Sequence, residues 1–139
     1  MAACARRQPA APRVFQPTLA AATAVAQQRY GGDLVVFLSD TSPTCGQVRE
    51  QVFGATPLGR YLAANFAAVE VPIGSAAARA VRTQYHVSDE RPRIIIASDR
   101  LEHLRMHIVR LDHIKEANVL RQLKAIKAAK TIADYRRAR

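Results

Sequence analysis

Tryptophan is absent from the 139 residues, and cysteine occurs twice, at Cys4 and Cys45. Two thiols cannot build the disulfide framework of a small secreted domain, which points to a reducing compartment. No apolar run approaches the ~18 residues of a membrane-spanning helix. No glycine-rich phosphate loop is present, because Gly31-Gly32 precedes a strand pattern instead of opening a helix. Acidic residues are missing from the first 32 positions, which carry Arg6, Arg7, Arg13 and Arg29.

What is present suits one α/β domain with short extensions. Hydrophobic residues make up 49%, enough to bury a core at this length. The formal net charge of +10 is unevenly spread. Residues 33–99 hold six arginines against seven acids, whereas residues 100–139 hold eleven lysines and arginines against four. Basic ends on a neutral body are expected to meet something acidic: RNA phosphate, anionic lipid or an acidic protein face.

Residues 1–17 contain Pro9, Pro12 and Pro17 and no helical period, so they read as an extended basic arm. The arm is arginine-rich and acid-free like a mitochondrial presequence, yet it lacks serine and is broken by proline. Presequence and retained arm both stay open.

Thr18 caps an alanine-rich helix that Gly31-Gly32 ends. Leu34–Leu38 is a continuous apolar run, the pattern of a strand buried on both faces. Ser42 then caps a helix whose first position is Pro43, which puts Cys45 in the first turn. Gly54 and Pro57 interrupt that helix, and helical spacing resumes to Asn65. Val69, Val71 and Ile73 alternate with Ala68, Glu70 and Pro72 as a strand, and Ser75 opens a helix through Tyr85. Two further strands follow, Arg93–Ala97 and a one-sided strand in which Leu104, Met106 and Ile108 alternate with His103, Arg105 and His107. A last helix is expected over 112–130, with Ile114, Ala117, Leu120, Leu123 and Ile126 as its stripe. Arg121, Lys124, Lys127 and Lys130 share its other side, and residues 128–139, with Arg136 and Arg137, form a basic tail.

The element order with these motifs resembles the thioredoxin-like superfamily over residues 18–127. Ser39-Asp40-Thr41-Ser42-Pro43-Thr44-Cys45 is similar to a family segment of the form Ser-Asp-Trp-Cys-x-x-Cys. Tyr61–Phe66 resembles a helix end in the same branch, and Tyr85-His86-Val87-Ser88 with Pro92 resembles the approach to its proline loop. The resemblance implies a sandwich with a central mixed sheet of about four strands flanked by helices, plus an extra N-terminal helix. It implies a groove near Ser42, Cys45, Arg91 and Pro92, and a cis Arg91-Pro92 bond. It also exposes two departures: Thr41 stands where the family has tryptophan, and Ser42 where it has the nucleophilic cysteine. A hydroxyl cannot replace a thiolate in disulfide exchange.

Each candidate has a structural role to weigh. Cys45 is either a small buried packing residue or a redox thiol with a pKa lowered at a helix N-terminus. Ser42 is either an N-cap or a hydroxyl donor to a bound partner. His103 and His107, four strand residues apart, would sit about 13 Å from each other, too far for one metal. No metal or cofactor is expected.

Together these features lead to the expectation of a non-catalytic binding or structural protein. Its groove would lie at Ser42, Cys45, Arg91 and Pro92, and its acidic partner would be gripped by Arg121, Lys124, Lys127, Lys130, Arg136 and Arg137. Small thioredoxin-like proteins of this kind serve as accessory subunits of mitochondrial respiratory complexes and mitochondrial ribosomes, so the resemblance implies protein partners and a mitochondrial location. The alternatives are a one-cysteine redox protein using Cys45 and a peptide-binding adaptor of a bacterial cytoplasm.

Overall fold

The structure, a computed structural model, describes residues 15–138. Residues 1–14 of the expected arm, Cys4 among them, therefore lie outside the described residues. Helix α1 (Leu19–Arg29) starts where the Thr18 hydroxyl accepts from the Ala21 N–H at 3.0 Å. It stops at Gly31 and Gly32, whose φ of 64° and 87° lie in the left-handed region that favours glycine. The chain turns there into β2 (Asp33–Ser39), followed by α2 (Pro43–Phe53), α3 (Pro57–Asn65) and β3 (Ala67–Pro72). Helix α4 (Ala76–Gln84) leads to β4 (Arg93–Ser98), β5 (Leu104–Ile108), α5 (Glu116–Ala128) and α6 (Ile132–Ala138).

The sheet has five strands, one more than the sequence suggested, because Phe15–Gln16 forms a short edge strand, β1. The end of the expected arm is thus part of the fold. The order is β1-β3-β2-β4-β5, with β1, β3 and β2 parallel and β4 and β5 antiparallel. Val36 on the central strand is flanked by Val69 on β3 and Ile95 on β4.

Strand β2 is buried along its whole length because helices cover both faces. On one face Val35, Phe37, Ala68, Ile94 and Ile96 meet α2, α3, α5 and α6 through Val48, Leu62, Leu123 and Tyr135. Phe37 stacks on Phe53 at 5.3 Å between centroids. On the other face Leu34, Val36, Val69 and Ile95 meet the small side chains Ala22, Ala26 and Ala78 of α1 and α4. Each fully buried aliphatic or aromatic side chain contributes about 1.5–3 kcal/mol.

The C-terminal region differs from the sequence expectation. Instead of one helix over 112–130 there is a 3-10 turn at Leu111–His113, then α5 and α6. Because α5 begins only at Glu116, its core stripe is Val119, Leu123 and Ile126, and Ala117 is exposed. Helix α5 ends at Ala129, whose backbone is extended, and Arg100 caps the end by donating to the Ile126 and Ala129 carbonyls. The Thr131 hydroxyl then accepts from the Asp134 N–H at 3.1 Å and starts α6. Tyr135 of α6 is only 2% exposed and belongs to the main core, so the expected tail is anchored to the body through this side chain. Ile132 and Tyr135, three apart, supply the apolar side that docks α6.

Candidate functional site

Strand β2 delivers the chain to a tight turn before α2. The Asp40 carboxylate accepts from the Ser42 N–H at 2.9 Å, and the Ser42 hydroxyl accepts from the Cys45 N–H at 3.3 Å. Ser42 is therefore the N-cap of α2, with Pro43 at the first helical position. The Asp40 N–H in turn donates to Cys45 Sγ at 3.4 Å. Hydrogen bonding by Ser42 holds the Asp40 carboxyl below the usual carboxylate range.

Cys45 is fully buried. Burial pushes its thiol above the ordinary value, and the Asp40 N–H and the Ser42 hydroxyl only partly offset this. The redox alternative predicts an exposed thiol with a lowered pKa, whereas Cys45 is buried and its pKa is shifted upward.

A second network braces the turn from outside. Arg49 on α2 grips the Glu70 carboxylate of β3 with Nε at 2.9 and 3.0 Å and a terminal nitrogen at 2.6 Å. Glu70 also accepts from the Ser39 hydroxyl at 2.6 Å, and Arg49 reaches the Asp40 carbonyl at 3.4 Å. These bonds tie the end of β2, the start of α2 and β3 together.

Beside this turn lies a groove of about 330 Å³. One wall is the first turn of α2, with Ser42, Thr44 and Cys45, and a second is Arg91-Pro92. The structure thus brings together the four groove residues expected from sequence. The third wall, Val109 to Asp112, was missed, and its only signal in the sequence is Leu111, which is buried at the turn after β5. No described peptide bond is cis, so the Arg91-Pro92 bond is trans, contrary to what the resemblance implies. The Asp89 carboxylate shapes this approach instead. It accepts from the Arg91 N–H at 2.9 Å and from Arg93 at 2.5 Å, and these bonds hold its pKa well below the usual carboxylate range.

No protein-family model matches the sequence, and neither does any curated protein. Solved structures do. The solution structure of a thioredoxin from Thermus thermophilus is 19% identical, covers 80% of this chain and 85% of that one, and has a TM-score of 0.61. A DsbH oxidoreductase structure is 15% identical, covers 90% of this chain and 92% of that one, and has a TM-score of 0.59. The chain has a thioredoxin-like fold.

Within this thioredoxin-like fold, Ser42-Pro43-Thr44-Cys45 opens α2 at the C-terminal end of the central strand. The basic residues expected to share one face do not. A step of three residues falls short of the 3.6-residue turn, so the row drifts around the helix toward the core. Lys127 consequently turns inward, with its ammonium 2.6 Å from the buried Asp33 carboxylate and 4.9 Å from the Phe66 ring centre. Arg121 and Lys124 stay exposed on α5, whereas Lys130 lies beyond its end. Arg136 and Arg137 are exposed on α6, and Arg137 is paired with Asp134.

The histidines are separate. His107 lies 3.3 Å from Arg93, and His103 is exposed beside Asp99. Among the described residues no group of three or more His, Cys, Asp or Glu could hold a metal ion, and no helix is long and apolar enough to cross a membrane.

Proposed function

We propose that this chain is a non-catalytic, redox-degenerate member of the thioredoxin-like superfamily. In this reading it is an accessory subunit that docks onto protein partners in a larger assembly, of the mitochondrial respiratory or ribosomal type. The observation that carries this reading is the pairing of Ser42 with Cys45. The hydroxyl at the nucleophile position is spent on capping α2, and the remaining thiol is buried with a raised pKa. A thiolate is required for exchange chemistry, and a buried, protonated sulfur is a packing group.

Binding takes the place of chemistry. The groove between α2, Pro92 and residues 109–112 offers a preformed concave surface, of the size that holds a few side chains. The exposed cations Arg121, Lys124, Lys130 and Arg136 favour an acidic partner.

Affinity purification of the tagged full-length chain from its native cells, alongside Cys45→Ser, tests this. The reading expects both versions to co-purify with the same stoichiometric complex. Recovery of the wild-type chain alone would overturn it. Loss of partners only in a folded Cys45→Ser chain would instead make Cys45 the working residue.

A further inference from the structure

Two walls of the groove are continuations of one hairpin. The β4–β5 ladder ends at the pair Ile94 and Ile108. Beyond that pair, Arg91-Pro92 runs into β4, and Val109 to Asp112 runs out of β5. On the sheet face that carries Ile95, one side-chain bond joins the two strand ends: a terminal nitrogen of Arg93 lies 3.3 Å from His107 Nδ1. Arg93 directly follows Pro92, and His107 stands two residues before Val109. The bond therefore sits at the base of both walls.

This contact suits only one charge state of the ring. A guanidinium only donates, so Nδ1 has to be the bare acceptor nitrogen of a neutral imidazole. A proton on Nδ1 removes the acceptor and sets two cations against each other. Arg93 has no room to yield. Its side chain is 8% exposed, it lies 2.5 Å from the Asp89 carboxylate, and its Nε is buried with no partner among the described residues. His107 is half-buried and has no carboxylate within ion-pair distance among the described residues. Asp89, in the loop before β4, is engaged by Arg93, the Arg91 N–H and the Arg91 side chain. Arg105, on the same face of β5, pairs with Asp99 and lies over the Tyr85 ring. Burial, and then the Arg93 charge, already hold His107 below its ordinary pKa.

We propose that the Arg93–His107 contact is a proton-operated latch on the groove: neutral His107 holds the walls at Pro92 and Val109 together, and protonated His107 parts the ends of β4 and β5 so that the groove releases its partner. The latch rests on the binding-protein reading of this groove and adds its regulation. Strand β5 is the part that moves, because it is an edge strand bonded only to β4, whereas β4 is also bonded to β2.

The test follows the full-length chain by NMR from about pH 8 to about pH 5, on either side of the ordinary histidine value near 6.5. The amides of Arg91, Val109 and Leu111 are expected to shift with the same midpoint as the His107 ring. Backbone order parameters of Val109, Arg110 and Leu111 should fall from about 0.85 to below about 0.6 across that midpoint, while Val36 in the central strand stays rigid. His107→Gln, which accepts from Arg93 without taking up a proton, should abolish both changes. His107→Lys should show the loosened wall already at about pH 8, and His107→Gln decides alone should the lysine variant not fold. Partners captured by the tagged wild-type chain at about pH 8 should wash off at about pH 5 at least about tenfold more completely than those held by His107→Gln. A ring that stays neutral down to about pH 5, a ring that titrates while the wall stays still, wall motion that persists in His107→Gln, or equal release from both chains overturns the latch. Each of these leaves the binding-protein reading standing, because that reading fails only if the wild-type chain purifies without a partner at about pH 8.

Discussion

Lys127 Nζ lies 2.6 Å from Asp33 Oδ2, and the Asp33 carboxylate is fully buried. The pair joins the last turn of α5 to the first residue of the central strand. Ser98 donates to the same carboxylate at 2.5 Å, and Arg100 approaches it at 3.4 Å. Removing one partner of such a pair strands a buried charge and costs about 3–5 kcal/mol, far more than losing a surface ion pair. Lys127→Met is therefore expected to lower unfolding stability by about 3 kcal/mol in urea denaturation. Lys124→Met on the exposed side should change it by less than about 0.5 kcal/mol.

Tyr135 makes the C-terminal helix part of the core, with its hydroxyl 3.7 Å from Met106 Sδ on β5. Tyr135→Ala should cost about 3–5 kcal/mol, as for other buried aromatics. Tyr135→Phe keeps the ring and should cost less than about 1 kcal/mol. Thermal unfolding of the two variants separates a packed helix from a dispensable tail.

The α2–α3 elbow depends on a missing side chain. A Cβ at Gly59 would sit 1.9 Å from the Gly54 carbonyl oxygen, a backbone atom that cannot step aside alone. Gly59→Ala should destabilise by about 3 kcal/mol through overpacking. Gly46, inside α2, has nothing within 4 Å of its would-be Cβ. Gly46→Ala should stabilise by about 0.5–1 kcal/mol through helix propensity. Opposite signs in paired denaturation curves check the elbow directly.

The pH dependence has a named source. Burial, and then the Arg93 charge, hold His107 below its ordinary pKa. The unfolded chain therefore binds a proton at higher pH than the folded one. Stability from this group is fully present above about pH 6.5 and is lost as pH falls toward the depressed folded value. Asp89 acts in the same direction but only below the usual carboxylate range. His107→Gln should flatten the stability profile as pH falls below about 6.5, measured by urea denaturation at each pH.

How far the sequence could be read depended on how local each cause was. The Ser42 cap, Pro43 and the apolar run of β2 act over a few residues, and they placed the groove turn correctly. The third groove wall depends on where β5 hands the chain to Val109–Asp112, which is set by tertiary packing. The row Arg121, Lys124, Lys127 and Lys130 looked uniform as text. What separates Lys127 is Asp33, a residue 94 positions away. Ala129 and Thr131 broke the long C-terminal helix with ordinary side chains and no proline or glycine, so the sequence held no obvious punctuation there. Phe15–Gln16 was hidden by its neighbour Pro17, which suggested an arm rather than the edge strand that pairs with Ala68 and Val69.

The central claim is that no reactive thiol remains at the mouth of this fold. Alkylation of Cys45 by iodoacetamide across pH, in a Cys4→Ser full-length chain, measures it most directly. The account predicts labelling at least about tenfold slower in the native chain than in urea, rising only above the ordinary thiol range near pH 8.5. Native labelling as fast as the unfolded chain, or with a midpoint below pH 7, would contradict it and make Cys45 a working nucleophile.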